Sequence, residues 1–131
     1  MTKQVYRMKY YAKLISINEN VEEEVIFAFG EYNICCFVDY SSVPLHVGNI
    51  YLVELGLWFN DDMQIEASKD KHFFIKREGK TFKYIINGYL FEDKLVLSNL
   101  IFQDESFYDF SYFENDFITL KSDRMTVSII A

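Results

Sequence analysis

The chain has 131 residues, half of them apolar and 18% aromatic, and a formal charge of −7 at neutral pH. This is enough for one folded domain with a real core, 1–131, and it excludes a disordered chain. The negative balance argues against a duplex-binding protein, which gains affinity by neutralising phosphates, and it favours a basic partner.

Taken in chain order, the pattern is mostly period two, rich in β-branched and aromatic residues, which is strand chemistry. "MKYYAKLISI" (8–17) predicts a first long strand; residues 1–18 carry four basic groups and no acid. "EEVIFAFG" (23–30) alternates Val25, Phe27 and Phe29 against Ile26 and Ala28. A turn around Gly30 leads to "YNICCFVDY" (32–40), so the two predict a hairpin. "SSVPLHVGN" (41–49) is a loop, because Pro44 bars a central strand. "IYLVELGLWF" (50–59) is apolar on nearly both sides, which predicts that both faces are covered, with Gly56 marking a bend or bulge. Over residues 19–68 there are ten acids and no Lys or Arg.

The polar run "NDDMQIEASKDK" predicts a short turn of helix. Two hairpins follow, turning at "REGK" (77–80) and "FEDK" (91–94). Residues 69–83 carry six basic groups and two acids. There, Phe73 with Ile75, and Phe82 with Tyr84 and Ile86, are spaced like core-facing strand positions. The last strands are "DFITL" (116–120) and "MTVSII" (125–130), joined by "KSDR". Eight or nine short strands with little helix predict a mainly β fold. Its form is a small OB-like barrel or a two-layer β-sandwich of antiparallel strands with at most one or two short helices.

No catalytic, cofactor-binding or metal-binding motif is present. His46 and His72 lie far apart in sequence, without the spacing of a metal pair. Phosphate-cradling glycine loops are missing, and acid pairs such as Asp61/Asp62 or Glu92/Asp93 arise readily among 20 acids. Cys35 and Cys36 are neighbours, which strains an internal bridge, so two buried reduced thiols are expected. With no secretory leader and no 18-residue apolar run, the expectation is a cytoplasmic, non-enzymatic protein with no membrane segment and no cofactor.

The stretch "FQDESFYDFSYFEND" (102–116) stands out, with five acids, six aromatics and no basic residue. As a helix, it places Phe107, Phe110 and Phe113 on one side, with Ser106 as N-cap. As a loop, the rings pin an acidic segment to the barrel. Either way the rings cannot all be buried without burying carboxylates, so some aromatics should stand exposed beside acids. Such a mixture is the chemistry of a contact patch. The candidate partner-binding residues are Asp104, Glu105, Tyr108, Asp109, Tyr112, Glu114 and Asp116, with Asp61 and Asp62 from the first acidic block.

The segments Cys36-Phe37, Gly48 through Leu57 and Asp123 through Val127 resemble those of small, acidic, uncharacterised bacterial β proteins. That class resembles immunity proteins of polymorphic or contact-dependent toxin systems. The resemblance implies a cognate toxin domain, such as a nuclease, as the basic partner, and supplies no active residue. The alternative is an OB-like module that binds single-stranded nucleic acid, or acts as an adaptor, through the basic and aromatic segment 69–83.

Overall fold

Strand β1 (Lys9–Ile17) alternates outward Lys9, Tyr11, Lys13 and Ile15 with inward Ala12 and Leu14, as a half-buried strand must. The computed structural model of the protein describes residues 8–21 and 23–131. Lys3 and Arg7 of the basic N-terminal block, and Glu22 of the first acidic block, lie outside them.

β2 (Glu24–Phe29) and β3 (Tyr32–Ser41) form the expected hairpin, with Gly30 taking φ +59° at its turn. β4 (Ile50–Trp58) returns to pair with β1, and β11 (Arg124–Ile129) fits between β4 and β3. The result is a closed barrel in the order β1-β2-β3-β11-β4, antiparallel except for the parallel β3–β11 pair. It is the OB-like barrel of the two expected forms, accompanied by a second sheet. Closure leaves no strand edge in this sheet unpaired.

The second sheet is inserted between β4 and β11. It comprises β5 (Ile65–Ala67), β6 (Phe74–Arg77), β7 (Tyr84–Phe91), β8 (Lys94–Val96), β9 (Ile101–Gln103) and β10 (Asp116–Ser122). Its order is β5-β10-β7-β8-β9, with β6 also on β7. It packs where β4 ends and β11 begins. The Tyr10 hydroxyl bonds both the backbone oxygen and the N–H of Ile101, at 2.9 and 2.7 Å. The Cys35 N–H donates to the Tyr84 hydroxyl at 2.8 Å. The buried side chains of both sheets make one core, from Leu14, Phe27 and Val53 in the barrel to Ile86, Leu90 and Phe107 beyond it.

Several local expectations are corrected. The run 60–71 holds no helix; its centre is β5, which pairs with β10. "KSDR" is no turn: β10 runs through Ser122, and Asp123 alone separates it from β11, so one nearly continuous strand serves both sheets. β4 is buried on one face through Tyr51, Val53 and Leu55, and its other face is covered only in the middle: Gly56 is buried and Leu52 and Glu54 half-buried, while Ile50 and Trp58 at the two ends are exposed. Toward its end β4 is covered by the second sheet: Leu55, Gly56 and Leu57 share a small recess with Phe102, Gln103 and Asp104. Gly56 carries no bulge, pairing regularly with Thr126; the irregularities fall between Leu14 and Ser16 and between Val127 and Ser128. Phe73 is no core residue: it is exposed on the outer face of the second sheet, its ring 5.3 Å from that of Phe117.

Candidate functional site

The acidic, aromatic stretch is a 3-10 helical segment, Glu105–Phe113, kinked at Phe110. A 3-10 helix has three residues per turn, so positions three apart eclipse one another. Phe107, Phe110 and Phe113 form one ridge: Phe107 is fully buried, and the other two are half-buried against the core. The kink at Phe110 joins two short turns, and the three phenylalanines still face inward on either side of it. The two remaining ridges face outward. One is Glu105, Tyr108 and Ser111; the other is Ser106, Asp109 and Tyr112, all of them exposed. Each outward ridge carries one acid and one tyrosine. Tyr108 and Tyr112 are 55% and 75% exposed, ample surface for a partner. Glu105, Ser106, Tyr108 and Asp109 line a shallow recess between the ridges.

Both ends of the segment are fastened to the β7–β8 hairpin. The Asp104 N–H donates to the Asp93 oxygen at 2.9 Å, and the Asn115 N–H to the Leu90 oxygen at 2.8 Å. The N-cap is Asp104 rather than Ser106: its carboxylate accepts the Ser106 N–H at 2.9 Å. At the far end, Glu114 accepts the Glu92 N–H at 3.1 Å, steadying a hairpin residue at φ +55°. Asp93, beneath the segment, is pushed up by burial, but hydrogen bonds from Gln103 and Lys94 outweigh this and hold it below the usual carboxylate range.

The predicted residues therefore divide by task. Tyr108, Asp109 and Tyr112 present outward from the segment, together with Glu105. Asp104 and Glu114 hold its backbone. Asp116 lies just beyond it, ion-paired to Lys71 at 2.6 Å; that contact and the Phe117 N–H keep its carboxyl below the usual range. Asp61 and Asp62 are exposed in the separate β4–β5 connection, beside Asn60, whose N–H donates to Asp123 at 2.8 Å.

The structure also assembles a grouping that no contiguous motif announced. The Arg124 guanidinium lies over the Trp58 ring at 4.4 Å and the Phe37 ring at 4.8 Å. Phe37 meets Phe82 edge-on at 4.8 Å, and Arg77 lies over Phe82 at 5.8 Å. The five residues come from β4, β11, β3, the 78–83 turn and β6, so only the strand pairing brings them together.

Cys35 and Cys36 are buried and unbridged. Burial first, then the hydrogen bond to Glu24, pushes the Cys35 thiol up to about 11, and burial raises Cys36 further above its ordinary value. Among the described residues no three His, Cys, Asp or Glu side chains gather as metal ligands would, and no helix is long and apolar enough to cross a membrane.

No curated protein and no solved structure matches the chain. The family model described as Uncharacterised conserved protein UCP019853 matches residues 8–130, and the chain belongs to that family.

Proposed function

We propose that this chain is a non-enzymatic binding protein that grips a basic protein through the 3-10 segment 105–113. In its sharpest form it is a cytoplasmic immunity protein that neutralises a cognate bacterial toxin domain. The observation that supports this reading is the division of the segment into an inward phenylalanine row, Phe107 buried with Phe110 and Phe113 half-buried, and two exposed rows, each with an acid and a tyrosine. The buried ridge fixes the backbone, so little ordering entropy is lost on binding. The tyrosines supply rigid contact area, and the acids supply complementarity to a cationic cleft. Complementary charge also speeds encounter, which suits the capture of a toxin before it acts. The family resemblance noted at Cys36-Phe37, Gly48 through Leu57 and Asp123 through Val127 supports the immunity form.

The test is to read the genes on either side of this protein's own and to measure, by calorimetry, binding to any toxin domain that one of them encodes; a flanking region without one would count against the immunity form. Tyr112→Ala and Asp109→Lys are the informative variants, since neither side chain caps the segment. Each should weaken binding by at least about tenfold, the scale of a contact worth ~1.4 kcal/mol. Added salt should weaken the wild-type complex as well. Unchanged affinity in both variants would remove this segment from the interface.

A further inference from the structure

Arg124 sits on the outer face of β11, opposite Trp58 of β4, while Phe37 approaches from β3 on the other flank. Two aromatic planes thus hold its guanidinium. Such a group carries five N–H donors in a planar fork. Among the described residues no carboxylate pairs with it, and no protein acceptor takes a hydrogen bond from its side chain. It is only partly exposed, so its donors are oriented and incompletely hydrated. A fork held in place with its donors unspent has already lost the rotamer freedom that binding would cost.

The grouping continues beyond Arg124. Phe82 packs on Phe37, and Arg77 lies over Phe82. Arg77 spends its Nε on the Thr81 oxygen at 2.6 Å, and among the described residues no carboxylate pairs with it either. Lys80 and Lys83 are exposed on the same 78–83 turn. Rings interleaved with cations suit a ligand that has both an aromatic part and phosphate oxygens.

We propose that the Trp58–Arg124–Phe37–Phe82–Arg77 row is a binding site for a nucleotide phosphate ester. Arg124 takes two phosphate oxygens bidentately, and the base lies against the exposed Trp58 ring. A lone carboxylate would use one fork and leave the second guanidinium and the rings idle. The net charge of −7 disfavours a long duplex but leaves this local cationic row available to a short ester. None of the five residues belongs to segment 105–113, so the two readings fail independently.

Trp58 is the chain's one tryptophan, so its fluorescence reports on the site directly. The full chain is titrated at low salt with adenosine monophosphate and with a short oligothymidylate, and sodium acetate serves as the competitor. The expected result is a saturable change with at least one of the two. Preference for the monophosphate identifies a free nucleotide as the source, and preference for the oligomer a single strand. Arg124→Lys keeps the charge but loses the planar fork, and should weaken binding about tenfold or more. Arg124→Gln should abolish it, with thermal melts checking that both variants fold. Three results would overturn the proposal: no saturable change with either probe, equal affinity in Arg124→Gln, or acetate displacing the probe at equal concentration.

Discussion

Phe107→Ala separates the inward and outward ridges of the acidic segment most sharply. Phe107 is fully buried, and its ring is the part of the segment set deepest in the core. Truncating a buried phenylalanine costs about 3–5 kcal/mol, from lost transfer energy plus the cavity left behind. Against a total stability of about 5–15 kcal/mol this is a large share. With a urea slope near 2 kcal/mol per molar, the unfolding midpoint should fall by about 2 M. Urea unfolding followed by Trp58 fluorescence and by circular dichroism measures it. Tyr112→Ala is the control: that side chain is 75% exposed, and its removal should cost no more than about 0.5–1.5 kcal/mol, the scale of its ring contact with Phe113 at 4.4 Å. Binding should respond in the reverse sense, with Tyr112→Ala folding normally and losing affinity. A cost below about 1 kcal/mol for Phe107→Ala, or an equal cost for the two variants, refutes the assignment of faces.

Asn87→Ala should cost about 2–3 kcal/mol by equilibrium unfolding. Asn87 is fully buried, donates to the Asp70 and His72 backbone oxygens at 2.9 and 2.7 Å, and accepts from Thr119 at 2.8 Å, so the substitution removes three hydrogen bonds and leaves a small void. Its hydrogen exchange should quicken most around residues 70–72. Gly88→Ala should cost about 1–3 kcal/mol, because a Cβ there would lie 2.9 Å from the Val96 oxygen and 3.0 Å from Leu95; an unchanged melting curve would mean that β8 yields freely. NMR titration should find the Asp116 carboxyl below its ordinary value, and Lys71→Met should raise it part of the way back, because the Phe117 N–H still bonds the carboxylate. A depressed folded pKa adds stability above the unfolded pKa, and the gain disappears as pH falls through the folded one. Both thiols should resist a disulfide exchange reagent at pH 8 in the folded protein and react on unfolding, since their raised pKa values keep them protonated.

The barrel was legible because each of its strands carries its own alternation: Val25, Phe27 and Phe29 point inward as their spacing requires. The ridge 107, 110 and 113 was legible for the same reason, since three-residue spacing is a local signal. What the sequence hid was non-local. Trp58 looks like a core residue in an apolar run, yet it is exposed at the end of β4, beyond the part that the second sheet covers. "KSDR" has the composition of a turn, yet the strand runs on because Ser122 is buried and bonded to the Trp58 and Arg124 backbone oxygens. Asp104 and Glu114 read as surface charge; their capping work depends on where backbone N–H groups happen to point. Arg124 and Phe37 are 87 positions apart in the chain, beyond the reach of any motif.

The insertion of an entire sheet between β4 and β11 sets an order of folding events. β1 to β4 can pair early, but they leave β3 and β4 as open edges until the chain has travelled from Trp58 to Arg124. Closing so long a loop is slow mainly because its contacts are far apart in sequence, with an entropic cost that grows only logarithmically. During synthesis β11 leaves the ribosome after everything it must join, so a β1–β4 sheet that formed on the nascent chain would expose two unpaired edges for that interval. Because β10 leads directly into β11, formation of the second sheet delivers the closing strand to its slot. A lesion in the second sheet should thus slow closure of the barrel and raise aggregation during expression, even where the finished protein would tolerate it.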